Sequence, residues 1–119
     1  MSFETRSLTP EEVDAFGADL CPVNWGVIWQ GEILACFQAE PEDCESLVLN
    51  VHANVKRRAL HPAVTAAYAK TFSDRLVELG ASELMCRIKP ENRAALRMAK
   101  AAGYRESGTE DGCIVLRRK

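Results

Sequence analysis

His52 lies in a β-rich run, Ser46 to Asn54. Its alternation puts Leu47, Leu49, Val51 and Ala53 on one face and Val48, Asn50, His52 and Asn54 on the other. An imidazole with a reference pKa near neutral can take a proton from a reacting group, and Asn50 shares its face. Asp43 and Glu45 are nearby carboxylates able to do the same work, and the competing role for His52 is that of a hydrogen-bonded sheet residue. Directly after this run comes the basic turn Lys56-Arg57-Arg58. Charge is unevenly spread: residues 1–46 hold ten acids against Arg6, net −9, while residues 47–119 hold seven acids against fourteen bases, net +7. The basic part suits an acidic ligand such as a phosphorylated cofactor, and the acidic part a cationic substrate.

Cys21, Cys36, Cys44, Cys86 and Cys113 are odd in number and lack any C-x-x-C spacing, so they read as reduced, partly buried thiols. Only the distant His52 and His61 could supplement them as zinc ligands, and no metal is expected. The isoelectric point of about 5.7 and the lack of aromatic patterning disfavour nucleic acid. No apolar run approaches the roughly 18 residues of a membrane span. Met-Ser-Phe-Glu-Thr-Arg has neither a basic leader nor an apolar core behind it, so the expected site of action is the cytoplasm.

The elements that position these groups follow from local signals. Thr9-Pro10-Glu11-Glu12 starts a short helix that ends by Cys21-Pro22, after an edge strand from Phe3 to Leu8. Trp25 to Gln30 and Glu32 to Glu40 form a hairpin at Gln30-Gly31. Trp25 and Trp29 share a face, available to core packing, an acceptor cleft or a dimer contact. Val64, Tyr68, Phe72, Leu76 and Leu79 recur at the period of a helix buried along one side, which Gly80 stops. Glu83 to Ile88 is a strand, Asn92 to Ala102 an alanine-rich helix closed by Gly103, and Tyr104 to Glu110 with Cys113 to Arg118 a hairpin at Asp111-Gly112. The chain reads as one domain, 1–119, of mixed α/β (α+β) class. The order is β-α-β-β-β-α-β-α-β-β, with a mostly antiparallel sheet of six or seven strands flanked by helices.

The stretch Pro90 to Tyr104 holds Asn92, a small residue three on at Ala95, and Gly103-Tyr104 at the helix end. In this it resembles the late helix of the GCN5-related N-acetyltransferase (GNAT) family, and the order of elements over residues 46–119 agrees. The resemblance implies a domain that seats acetyl-coenzyme A in a V-shaped slot between two diverging strands. Val51 and Ala53 would border the pantetheine arm, with Asn92 capping the helix at the slot.

The family's phosphate loop would fall at Arg58-Ala59-Leu60-His61-Pro62-Ala63. Arg58 and Ala63 keep its register there, while His61 replaces a glycine and Pro62 removes a donor. Lys56, Arg57, Arg58 and His61 are then the groups for charge-assisted contacts to phosphate. The implied activity is acetyl transfer to a small-molecule or peptide amine in a ternary complex, with His52 as base. The family's acid, a tyrosine seven residues after Asn92, is Ala99 here. Only one helix stands where the family commonly places two to build its acceptor wall.

Two further expectations accompany this resemblance. The altered loop and Ala99 leave a second reading, an inactive GNAT-like binding or assembly protein, since small members of this kind resemble proteins carried by bacteriophages. Pairing of C-terminal strands is a family habit and points to a homodimer.

Overall fold

The computed structural model describes residues 3–43, 47–56 and 60–119. Among these, seven strands and three helices follow in order: β1 (Glu4–Ser7), α1 (Pro10–Phe16), β2 (Val23–Trp29), β3 (Glu32–Pro41), β4 (Val48–Val55), α2 (Pro62–Glu78), β5 (Glu83–Ile88), α3 (Arg93–Ala101), β6 (Arg105–Glu110) and β7 (Cys113–Arg118). This is the order that the sequence predicts.

Local chemistry sets the boundaries. Thr9 Oγ1 accepts from the Glu12 N–H at 3.2 Å while the Glu12 carboxylate accepts from the Thr9 N–H at 3.0 Å, a reciprocal cap with Pro10 in the first helical position. Arg6 grips the same carboxylate at 2.8 and 2.7 Å and so ties β1 to α1. The two hairpins turn on residue pairs with positive φ, Gln30 (48°) with Gly31 (81°) and Asp111 (50°) with Gly112 (79°). The twist of such turns matches that of the flanking strands.

The strands form one sheet in the order β1-β2-β3-β4-β5-β7-β6. All neighbours are antiparallel except β4 and β5, which are parallel and joined by the α2 crossover. Helices α2 and α3 cover one face. There Phe72, Leu76 and Ala69 of α2 and Ala99 of α3 meet Val27, Ala35, Phe37, Leu84 and Leu116 of the sheet. Trp25 stacks on Phe72 at 5.7 Å and Trp29 meets Phe3 at 5.3 Å, so both tryptophans join the aromatic layer beneath α2. On the opposite face α1 buries Val13 against Leu8, Ile28 and Cys36.

One detail of the helix pattern needs correction. Leu79 is 72% exposed and lies past the last turn of α2, where Thr65 and Ser73 complete the buried stripe instead. Cys36 is buried, Cys21, Cys86 and Cys113 are partly buried, and all four are free; Cys44 lies outside the described residues. Among the described residues, no helix is long and apolar enough to cross a membrane.

Candidate functional site

The parallel ladder between β4 and β5 is short. It runs through Val48↔Glu83, Leu49↔Leu84 and Asn50↔Met85 and ends there. Beyond it β4 stays with β3 as far as Val55↔Ala35, and β5 stays with β7 as far as Ile88↔Ile114. Each strand follows its own antiparallel partner, and the sheet opens into a V between Val51–Val55 and Cys86–Ile88. The facing edges of these segments carry no ladder, so their backbone N–H and C=O groups are offered to whatever enters.

The opening leads into a cleft of about 660 Å³ on the side of the two long helices. Its walls are Val51 to Asn54 of β4, Cys86 to Ile88 of β5, Ala69 and Ser73 of α2, and Ala95, Met98 and Ala99 of α3. Phe37, Ala102 and Tyr104 also line it. Both helices begin at the mouth of the V, because each follows a strand that runs toward it. This is the carboxyl end of a parallel pair, where α/β folds usually hold ligands.

At the mouth, Asn92 caps α3, its Oδ1 accepting from the Ala95 N–H at 3.2 Å. Of the residues expected at the site, Val51, Ala53 and Asn92 are brought together around the cleft, and His52 borders it from β4 with its side chain turned to the opposite face. Lys56, His61 and Ala63 are not among its lining. Lys56 pairs with Glu32 at 2.8 Å, and Arg57 and Arg58 lie outside the described residues. His61 caps α2, its Nδ1 accepting from the Ala63 N–H at 3.1 Å. The Val64 and Thr65 N–H groups bond the His61 carbonyl at 2.9 and 3.0 Å, and Pro62 has none to give. The first turn of α2 therefore presents no free backbone donor, and an anion there has to be met by side chains.

The inner end of the cleft is polar. Tyr104, 4% exposed, and Ser73, 1% exposed, share a 2.9 Å hydrogen bond between their hydroxyls. Burial pushes the Tyr104 phenol up to about 12 and the neighbouring Cys86 thiol up to about 11. Sequence reasoning missed this pair because nothing local links residues 31 apart. The recurrence of Phe72, Ser73 and Leu76 on one helical face, with Gly103-Tyr104 closing the next helix, is the signal that was present.

The His52 side chain points to the other face of the sheet, away from α2 and α3. It pairs across the ladder with Gln38, which hydrogen-bonds Asn24 at 2.7 Å and receives a bond from Asn54 at 2.9 Å on the α1 side. His52 Nε2 lies 3.1 Å from Glu40 Oε1, and both side chains are about half exposed. Next to them Arg87 of β5 donates to Asn50 Oδ1 of β4 at 2.8 Å, at the level where the ladder ends. Arg87 also binds Glu42 at 2.8 Å and Glu110 at 3.2 Å. The Arg87 guanidinium, then Asn50, hold the Glu42 carboxyl below its usual range. Of the alternative carboxylates, Asp43 sits in the connection before β4, and Glu45 lies outside the described residues.

No family model matches the sequence, and no curated protein does. Solved structures do match its fold. A candidate phosphinothricin N-acetyltransferase superposes with a TM-score of 0.80 at 15% identity, covering 99% of this chain and 98% of that one. A GNAT-family acetyltransferase from Streptococcus pneumoniae gives 0.80 at 11% identity over 98% and 99%. The aminoglycoside acetyltransferase AAC(6')-Ib, solved with paromomycin and acetyl-CoA, gives 0.69 at 15% identity. That match covers 82% of this chain, which spans 64% of the larger protein. With its mostly antiparallel seven-stranded sheet, one parallel pair and a V between β4 and β5, the chain has the fold of the GNAT acetyltransferases.

Proposed function

We propose that the protein is an acetyl-CoA-dependent N-acetyltransferase that passes the acetyl group directly to an amine while both substrates are bound. The observation that carries this reading is the V between β4 and β5, with unladdered backbone edges, two helix starts at its mouth and a cleft of about 660 Å³ behind it. That volume lies within the roughly 300–1,000 Å³ usual for small-molecule sites. An arm carrying secondary amides fits such edges as an added strand does. Solved relatives of this fold were obtained with acetyl-CoA or with coenzyme A and kanamycin, the same pairing of carrier and amine.

Acetyl-CoA, when bound, supplies an activated thioester. The backbone of Val51 and Ala53 receives the amides of its arm, and the Asn92 cap fixes the opposite wall. Since the first turn of α2 has spent its N–H groups, the phosphates fall to the side chains of Lys56, Arg57, Arg58 and His61 around Ala63. The acceptor approaches from the open face where His52 and Glu40 stand. His52 takes the ammonium proton, and Glu40, 3.1 Å away, stabilises the imidazolium so formed. The freed amine attacks the acyl carbon; as the C–N bond forms and the C–S bond breaks, the nitrogen sheds its second, surplus proton to solvent and the sulfur leaves as thiolate. Ala99 has no proton to give, so the thiolate is protonated from solvent.

Calorimetric titration with acetyl-CoA tests the reading. Saturable binding of one cofactor per chain is expected, and no detectable heat at millimolar cofactor would remove the proposal.

A further inference from the structure

The cleft does not stop where the small side chain of Ala99 leaves room. Ser73 stands eleven residues into α2 from Pro62, about 16 Å along the helix at 1.5 Å per residue. From Val55 back to Asn50, where the ladder closes, β4 covers about the same 16 Å at 3.3 Å per residue. Ser73 and its partner Tyr104 are thus level with the closed end of the V, as far from the mouth as the space extends. Ala99, seven residues beyond Asn92, stands only about 10 Å in.

Hydrogen accounting makes this pair unusual. Two hydroxyls carry two hydrogens but share one bond, in which either oxygen can donate. Thr65 and Thr71 turn their hydroxyls onto carbonyls four residues back, at 3.3 and 3.0 Å. Ser73 instead bonds Tyr104, so among the described residues one O–H hydrogen of the pair has no acceptor. A nearly fully buried donor without an acceptor is costly unless a ligand or water meets it. The same cleft is lined by the apolar Phe37, Ala69, Ala99 and Ala102, and Cys86 and Arg118 act electrostatically on the Tyr104 phenol.

We infer that the Ser73–Tyr104 hydroxyl pair reads the acyl group of the bound thioester, donating its spare hydrogen bond to the carbonyl oxygen at the closed end of the slot. This rests on the reading of the cleft as an acyl-CoA site. The order Ser73 to Tyr104 to ligand places the outward hydrogen on the phenol, which Ser73 polarises and orients. The phenol donates a hydrogen bond and not a proton, because burial has raised it to about 12 while a free thiol titrates near 8.5.

The test compares acetyl-CoA with coenzyme A, which lacks the carbonyl, by calorimetry on the intact chain and on Tyr104→Phe and Ser73→Ala, with melting curves to show that each variant folds. Loss of one neutral hydrogen bond predicts that Tyr104→Phe weakens acetyl-CoA about five- to tenfold while leaving coenzyme A within about twofold. Ser73→Ala should fall between Tyr104→Phe and the parent. Equal loss for both ligands, or loss for neither, overturns the inference and leaves the acyl-CoA site standing. Failure of the parent chain to bind either ligand overturns both.

Discussion

Ala99→Leu separates an open cleft from a packed core. Ala99 is 7% exposed on the α3 wall, facing the gap between β4 and β5. Were that region filled, three extra carbons would overpack it at a cost of about 1–3 kcal/mol. At roughly 4 °C per kcal/mol for a domain of this size, the melting temperature would drop by about 4–12 °C. With about 660 Å³ of cleft in front of it, the leucine instead extends into space. Its added carbons gain up to about 2 kcal/mol at about 0.8 per buried methylene, and leucine is nearly as good a helix former as alanine. The account therefore expects a melting temperature unchanged or raised by up to about 8 °C. It also expects acetyl-CoA to bind at least about tenfold more weakly, because loss of about 1.4 kcal/mol of contacts is enough for that. Differential scanning calorimetry and titration calorimetry on one preparation measure both. A lowered melting temperature with unchanged affinity would refute the reasoning.

Other outcomes follow from named contacts. Asn92→Ala removes the α3 cap and should cost about 1 kcal/mol, read as a fall of about 4 °C in melting temperature together with weaker acetyl-CoA binding. His52→Ala should lower kcat/KM by about 10²–10⁴ with an amine that the parent accepts, while acetyl-CoA affinity, set on the other face, stays within about twofold; unchanged turnover would remove His52 as the base. The Arg6 guanidinium, then the Thr9 N–H, hold the Glu12 carboxyl at about 2, against 4.5 when unperturbed. A depressed carboxylate stabilises the fold above its unfolded pKa and loses that contribution as pH falls through the folded one. Stability should thus decline between about pH 4.5 and 2, and Glu12→Gln should flatten that part of a denaturation series.

Most of the scaffold was legible because its boundaries are written locally. Thr9 with Glu12, Gln30-Gly31, Asp111-Gly112 and Asn92 with Gly103 each state a cap or a turn within two to twelve residues. The alternation along β4 correctly separates Leu49 and Val51, which pack toward α2, from Asn50, His52 and Asn54, which bond across the opposite face. The position of the V could be expected from the resemblance, since strand order around residues 46–119 implied it. What the sequence could not show is how distant side chains meet. Glu40 reaches His52 diagonally across a ladder, Arg87 ties Asn50 to Glu42 and Glu110, and Tyr104 crosses beneath α3 to Ser73. Each pairing depends on sheet register and helix placement, quantities that no window of residues contains. The turn before α2 falls between these cases: His61-Pro62 is visible as a departure from a glycine loop, yet the full use of its first-turn donors appears only in the hydrogen bonds.

A crystal structure with acetyl-CoA bound probes the central claim most directly. The account predicts the arm lying between β4 and β5, bonded to the backbone around Val51 and Ala53, its phosphates at the start of α2 and its acyl end toward Tyr104. Cofactor seated elsewhere, or strands β4 and β5 laddered together past Asn50 and Met85, would contradict it.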